Sequence, residues 1–212
     1  MAHSRRSIGT AGMGWPTAVV ILGLAALLVV AVVGGKAKVS STGVELNSVG
    51  FFEHLRKADE ARGRAQPSAD QRTATLLALT KAVSNRKLPT AKVLWVDDHV
   101  LNNYWERLAL ASTGIMVDSY ATNVDGLSAL GLSNYDVVLS DVERDQDVPP
   151  THGGLEFLKE VRRAHPTIPF FFYTGHVTRD SREELRAAGA TDAFDAPGPL
   201  LDAIAGALPP RG

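Results

Sequence analysis

The chain has 212 residues, of which 45% are hydrophobic and 21% are charged, and its formal net charge is -1. This length allows one ordinary domain plus additional segments. The near-neutral charge provides no global basic field for nucleic acid, and the absence of cysteine excludes disulfides, cysteine metal ligands and thiol nucleophiles.

The first distinctive segment is an uncharged run at 15–35, WPTAVVILGLAALLVVAVVGG. At about 1.5 Å per residue, a helix of this length crosses a hydrocarbon core of about 30 Å. We therefore predict an N-terminal tail at 1–14 and a transmembrane helix at 15–35. A cleaved signal peptide or a buried apolar helix are the alternatives, but signal peptides usually have a shorter apolar region.

Positive charges on both sides of this run bear on the orientation of the chain in a membrane. Arg5 and Arg6 precede the run, and more basic residues follow it, among them Arg62 and Arg64. The excess on the C-terminal side favours a single-pass protein of the cell membrane with a cytoplasmic C-terminal domain.

Residues 36–90 are predicted to form a juxtamembrane linker with helical segments. Apolar residues at helical spacing predict two helices within 51–88, separated by a break at Pro67 and Ser68, and Ser68 is a candidate N-cap. Three interpretations of these helices stay open: a self-associating coiled coil, a helix lying against the next domain, or a mobile stalk.

Five short apolar segments alternate with helical segments in residues 91–208, and residues 209–212 form a short tail. The predicted strands are 92–96, 115–117, 136–140, 168–173 and 191–194. Short apolar strands that alternate with helices predict a doubly wound α/β domain, in which helices cover both faces of a parallel sheet.

Polar side chains follow three of these strands. Asp97 and Asp98 come after the first strand, Asp141 after the third and Thr174 after the fourth. We expect them to converge, because ligands bind beyond the carboxyl ends of parallel strands. A single such aspartate is often only a helix cap or a turn residue. Three together favour Mg²⁺ binding and a carboxylate nucleophile for a phosphoryl group, which a hydroxyl could help to hold.

This segment resembles the receiver domain of two-component response regulators. The resemblance rests on VLWVDD at 93–98, VVLSD at 137–141, GGLEFLKEVR at 153–162, FFFYTG at 170–175 and RAAGATDAF at 186–194. It implies a flavodoxin-like, five-stranded parallel sheet with the strand order 2-1-3-4-5.

The resemblance also implies roles for individual residues. Asp97 and Asp98 match the acidic metal-binding pair, and Asp141 matches the phosphoacceptor, which is also a metal ligand. Glu143 matches the position that offers its backbone carbonyl to the metal, and Thr174 matches the switch hydroxyl. The implied cofactor is Mg²⁺.

Some positions depart from the family pattern. Ala196 occupies the place of the lysine that bonds the phosphoryl group, and Asp195 beside it adds negative charge. Ala193 occupies the place of the aromatic switch residue. The loop after the third strand is long and acidic, and its Arg144 or His152 could fold back to supply positive charge.

The function expected from the sequence is that of a membrane-anchored receiver-like signalling protein, not an enzyme. It would accept phosphate on Asp141 from a histidine kinase or a phosphotransfer protein. Its output would run through contacts with a protein partner, without nucleic acid. One alternative is a pseudo-receiver that acts as a docking scaffold without phosphate. A less favoured one is a metal-dependent phosphohydrolase, which would usually need an aspartate at Glu143 and a lysine near Pro197.

Overall fold

The structure is a computed structural model that describes residues 18–23, 26–33, 36–39, 45–46, 48–84, 91–143 and 153–208. The N-terminal elements are four strands: β1 (Ala18–Gly23), β2 (Ala26–Val33), β3 (Lys36–Val39) and β4 (Glu45–Leu46). They pair as an antiparallel sheet in the order β1-β2-β3-β4.

These strands correct the predicted transmembrane helix at 15–35. The run holds β1 and β2, which pair from Ala18 with Ala31 to Gly23 with Ala26. Both strands are rich in valine, and β-branched side chains favour an extended backbone. Within the part of the chain that the structure describes, no helix combines the length and the apolar character needed to cross a membrane.

Two helices follow, α1 (Ser48–Ala61) and α2 (Ala69–Ser84), and they confirm the predicted pair and the break between them. Gly63 in the connecting turn has a φ of 61°. The Ser68 hydroxyl accepts from the Gln71 amide at 3.2 Å, and the Gln71 side-chain oxygen accepts from the Ser68 amide at 2.8 Å. This reciprocal capping fixes the start of α2 as predicted.

A parallel sheet of five strands forms the rest of the molecule. Its strands are β5 (Lys92–Val96), β6 (Met116–Tyr120), β7 (Val137–Ser140), β8 (Phe170–Tyr173) and β9 (Asp192–Phe194). The spatial order is β6-β5-β7-β8-β9, which confirms the expected order 2-1-3-4-5.

Each strand of the sheet is followed by a helix. A 3₁₀ turn (Val100–Asn103) leads into α3 (Tyr104–Ser112), and the later helices are α4 (Asn123–Leu132), α5 (Gly153–Ala164), α6 (Arg179–Ala187) and α7 (Pro197–Ala207). Thr122 is the N-cap of α4, because its hydroxyl accepts from the Asp125 amide at 3.1 Å.

Alternate residues of β5 face two hydrophobic cores. Leu94 and Val96 pack into the core covered by α4, α5 and α6, whereas Val93 and Trp95 pack into the core covered by α3 and α7. The second core also takes in buried side chains of α1 and α2, among them Phe51 and Leu79. Helix α1 packs against α3, and α2 packs against α7. Of the three open interpretations, the structure therefore supports helices that lie against the next domain, on α3 and α7.

Candidate functional site

The predicted polar side chains lie at one edge of the parallel sheet. Asp97 and Asp98 follow the end of β5, Asp141 follows β7, and Thr174 follows β8. β5 and β7 are paired neighbours, and β8 pairs with the other side of β7. The strand ends therefore bring these residues to a shared edge, as the alternation of strands and helices predicted.

Asp97 is held by hydrogen bonds to both carboxylate oxygens. Its Oδ1 accepts from the His99 amide at 2.8 Å, and its Oδ2 accepts from Asn103 Nδ2 at 2.6 Å. Asp97 is 4% exposed and Asn103 is 1% exposed. Since both groups are buried, the 3₁₀ turn that carries Asn103 sets the orientation of this carboxylate.

Asp98 lies beside Asp97 and faces His99. The Asp98 side chain is 2% exposed, and its Oδ1 is 3.1 Å from His99 Nδ1. One ligand atom from each of Asp97, Asp98 and His99 can be chosen so that all three lie within 4.8 Å of one another. His99 precedes the 3₁₀ turn and is half-exposed, and it contacts the acidic pair.

Asp141 is more deeply placed than an ordinary turn aspartate. Burial and the negative charge of Asp97 raise the pKa of Asp141 to about 6. The Val142 amide, which donates to Asp141 Oδ1 at 2.6 Å, opposes this shift, as do the Thr174 side chain and the charge of Arg62. The Asp141 carboxyl therefore lies within reach of the Asp97 charge and of the predicted switch hydroxyl of Thr174.

The acidic set suits a hard divalent cation. Asp97, Asp98 and Asp141 offer carboxylate oxygens, which Mg²⁺ prefers, and their mutual repulsion favours a bound cation. Asp141 lies outside the 4.8 Å group that contains His99, yet it is close enough to Asp97 for that charge to raise its pKa. Glu143, the predicted source of a backbone carbonyl, follows on the same loop and is exposed.

A close backbone approach fixes the loop that carries Asp141. The Gly154 amide donates to the Val142 carbonyl at 3.1 Å. A Cβ at Gly154 would lie 2.1 Å from the Asp141 carbonyl oxygen and 2.9 Å from the Val142 Cα. Gly154 therefore permits the start of α5 to pack directly against the backbone of Asp141.

Two positions that depart from the receiver pattern lie in β9 and at the start of α7. Ala196 is the N-cap of α7 and makes no side-chain capping bond, and Pro197 follows it in the first turn. Ala193 lies within β9 and is 1% exposed. Arg144 and His152, which we considered as sources of compensating charge, lie outside the described residues.

Positive charge reaches this edge from the turn that follows α1. Arg62 donates to Glu106 Oε1 at 3.1 Å, to Asn103 Oδ1 at 2.6 Å and to the Thr174 carbonyl at 3.2 Å. Arg64 donates to Asp195 Oδ2 at 2.8 Å. The sequence alone predicted no role for either arginine beyond positive charge in the linker. No local pattern could have identified their role, because Arg62 and Thr174 are 112 positions apart along the chain.

Comparison with known proteins identifies relatives of the sheet domain. A family model described as "Response regulator receiver domain" matches residues 93–199. The DNA-binding transcriptional regulator NtrC of Escherichia coli K12 is 30% identical over 115 residues, which cover 53% of this chain and 23% of NtrC. The transcriptional regulatory protein QseB of Haemophilus influenzae is 28% identical over 114 residues, covering 54% of this chain and 49% of QseB. The chain thus matches under a quarter of NtrC and about half of QseB.

Solved structures give the same result for the fold. The chemotaxis protein CheY4 of Vibrio cholerae, crystallised at low pH, is 28% identical with a TM-score of 0.50, and the match covers 57% of this chain and all of that one. The receiver domain of the Francisella response regulator 1452 has 18% identity and a TM-score of 0.50, over 56% of this chain and 97% of that one. The second likeness bears on the fold alone.

Proposed function

The chain belongs to the response regulator receiver domain family, and from this premise we propose that Asp141 accepts a phosphoryl group in a Mg²⁺-dependent phosphorelay. The observation that carries the proposal is the meeting of Asp141 with Asp97 and Thr174 at one sheet edge. There the charge of Asp97 raises the pKa of Asp141, and the Thr174 side chain lowers it. A nucleophile, a neighbouring carboxylate and a hydroxyl are thereby assembled.

The chemistry follows from these groups. One carboxylate oxygen of Asp141 forms a bond to the phosphorus of the donor, while the bond from phosphorus to the leaving group breaks and its electron pair departs with that group. Asp97, Asp98 and Asp141, with the backbone carbonyl of Glu143, would hold Mg²⁺. When bound, it neutralises negative charge on the transferring group. The Thr174 hydroxyl would donate to a phosphoryl oxygen.

The proposal is tested by intact mass after the full chain is incubated with Mg²⁺ and acetyl phosphate. The parent chain is expected to gain one phosphoryl group, and Asp141→Asn is expected to gain none. Asp180→Asn is the matched control, because Asp180 is an exposed aspartate in the first turn of α6. A parent chain that stays unlabelled, under conditions that label an authentic receiver, would refute the phosphoacceptor.

A phosphate-independent docking scaffold is the second candidate function. Ala196 favours it, because the position lacks a cation that could bond a phosphoryl group. In the same experiment, a scaffold stays unlabelled and keeps its fold with or without Mg²⁺. Repeated hydrolysis of a phosphoester, beyond one equivalent per chain, would instead indicate the phosphohydrolase.

The wider role is part of the proposal. The phosphate would come from a histidine kinase or a phosphotransfer protein, and the output would run through contacts with another protein, without catalysis or nucleic acid. Location at the cell membrane is a prediction from the uncharged run at 15–35. Recovery of the full chain in the salt-washed membrane fraction would support that location, whereas recovery in the soluble fraction would exclude it.

A further inference from the structure

The acidic edge of the sheet holds further acidic residues besides the three carboxylates predicted to bind the metal. Glu106 on α3 is 1% exposed and accepts from the Tyr173 hydroxyl at 2.7 Å. Asp195 follows β9, next to the uncharged Ala196. A phosphoryl group added to Asp141 would increase this negative charge. The arrangement therefore calls for positive charge that is fixed in place by the protein.

Arg62 is built into this edge by four contacts. Its guanidinium forms an ion pair with Glu106 and donates to Asn103 Oδ1 and to the Thr174 carbonyl, at the distances given above. Its fourth contact is with the Tyr173 ring, whose centroid lies 3.7 Å away. The Arg62 side chain is only 15% exposed. Planar stacking and several fixed acceptors are the conditions under which an arginine loses least entropy when it is held.

Two of these contacts are with residues that lie next to the strand-end carboxylates. Asn103 accepts from Arg62 through its oxygen and donates to Asp97 through its nitrogen. The Thr174 carbonyl accepts from Arg62, and the Thr174 side chain is close enough to Asp141 to lower the pKa of that carboxyl. The charge of Arg62 also acts on Asp141, since it lowers the pKa of that carboxyl. Arg62 is thus linked to Asp97 through Asn103, and its charge acts on Asp141.

We propose that Arg62 supplies the Asp141 pocket with the fixed positive charge that position 196 lacks, so that the α1–α2 pair completes the phosphoacceptor site. The inference rests on the proposed function. Arg62 is a positioning residue, because it acts through Asn103 and Thr174 and through its charge. The chemical class that it serves is a phosphoryl group or another tetrahedral oxyanion on Asp141.

Arg64 anchors the same turn on the neighbouring loops. Its guanidinium donates to the Asp195 carboxylate, to the Asp195 carbonyl at 3.1 Å and to the Gly175 carbonyl at 2.9 Å. Gly63 between the two arginines adopts a left-handed backbone that other residues seldom adopt. The turn therefore presents both guanidinium groups to the loops after β8 and β9, and Arg64 neutralises the acid beside Ala196.

The test measures the rate at which the full chain is labelled by acetyl phosphate in Mg²⁺. Arg62→Met alone would leave the buried Glu106 carboxylate without its ion-pair partner, so the informative comparison is R62M/E106Q against E106Q. Labelling is expected to slow by about tenfold or more, as for the loss of a charge-assisted contact. Arg72→Met removes one positive charge from α2 of the same helix pair and is expected to label like the parent.

Adding Ala196→Lys to R62M/E106Q separates charge from architecture. If Arg62 supplies charge, the new lysine is expected to recover most of the lost rate, although it lies on a different segment. If Arg62 only holds the fold together, a lysine at 196 recovers nothing, and that result overturns the inference. Arg62→Lys is a milder second variant, which keeps the charge. It is expected to label at a rate closer to the parent than to the double variant.

The outcomes distinguish the inference from the function on which it rests. Equal labelling of E106Q and R62M/E106Q, with a labelled parent, overturns the role of Arg62 and leaves Asp141 as the phosphoacceptor. A parent that is never labelled overturns both. Slow labelling of R62M/E106Q that Ala196→Lys restores supports both.

Discussion

Shortening one leucine of α2 tests whether the N-terminal helix pair is a structural layer of the receiver domain. Leu79 is fully buried, and it belongs to the same hydrophobic core as Trp95 of β5 and Leu200 of α7. A buried leucine replaced by alanine costs about 2–5 kcal/mol, because the lost apolar contact is joined by an unfilled cavity. We expect Leu79→Ala to lower the free energy of unfolding of the whole domain by about 3 kcal/mol.

The measurement is urea unfolding of the full chain, followed by far-UV circular dichroism and by tryptophan fluorescence. With a slope of about 2 kcal/mol per molar urea, a loss of about 3 kcal/mol lowers the midpoint by about 1.5 M. Leu132→Ala is the matched control, because this leucine of α4 is 86% exposed and its replacement should change stability by under about 0.5 kcal/mol. The helix pair is not a layer of the domain if Leu79→Ala costs no more than the control. The same conclusion would follow if Leu79→Ala shifted only an early unfolding transition that is separate from the main one.

Two further substitutions probe buried sites near the helix pair and the pocket. Burial and the charge of Glu106 raise the pKa of Asp59 from 3.8 to about 6, although the charge of Arg72 opposes the shift. Because the folded state binds this proton more tightly than the unfolded state, the parent should lose up to about 3 kcal/mol of stability as the pH rises from about 3.8 to 6. Asp59→Asn should remove this loss, which is measured as the difference in unfolding free energy between about pH 4 and pH 7. An equal difference in the parent and in Asp59→Asn would contradict the role of Asp59. Gly154→Ala should destabilise the fold by more than about 1 kcal/mol, because its Cβ would meet the backbone carbonyl oxygen of Asp141. Gly131→Ala, where a Cβ meets nothing within 4 Å, is the control in the same unfolding assay, and equal effects would rule out the clash.

The parallel sheet could be predicted from the sequence, because its determinants are local. Each strand is a short apolar run, and turn or capping residues such as Thr122 and Gly114 mark the helix ends. One strand boundary moved at a proline. β8 begins at Phe170 and not at Ile168, since Pro169 has no amide hydrogen to donate. Helix α7 begins at Pro197, because proline suits the first turn of a helix.

The N-terminal run shows where apolar length misleads. Its lack of charge and its 21 residues predicted a helix, whereas the structure places strands at Ala18–Gly23 and Ala26–Val33. Valine and isoleucine are apolar enough for either state, but their branching at Cβ favours strands. Hydropathy alone therefore did not determine the secondary structure of this segment.

The candidate site divides in the same way into a local part and a long-range part. Asp97, Asp98 and Asp141 were predictable, because the ends of neighbouring parallel strands must meet at one edge. The contribution of Arg62 depends on how α1 packs against α3, and a sequence pattern does not encode that contact locally. The missing lysine is visible in the sequence at Ala196. For the compensating positive charge, however, the sequence suggested Arg144 or His152 in the loop after β7 and not the turn after α1.

Packing and chemistry are joined at the C-terminal end of α1. Phe51 and Leu55 are fully buried and hold α1 against the sheet domain. Arg62, in the turn that follows α1, donates to the Thr174 carbonyl. Because the same docking places the apolar side chains and the guanidinium, separating α1 from α3 would withdraw the charge from the pocket. By linkage, a phosphoryl group that Arg62 stabilises must stabilise the docked helix pair by the same free energy. The two kinds of measurement, unfolding and labelling, are therefore expected to report on one structural contact.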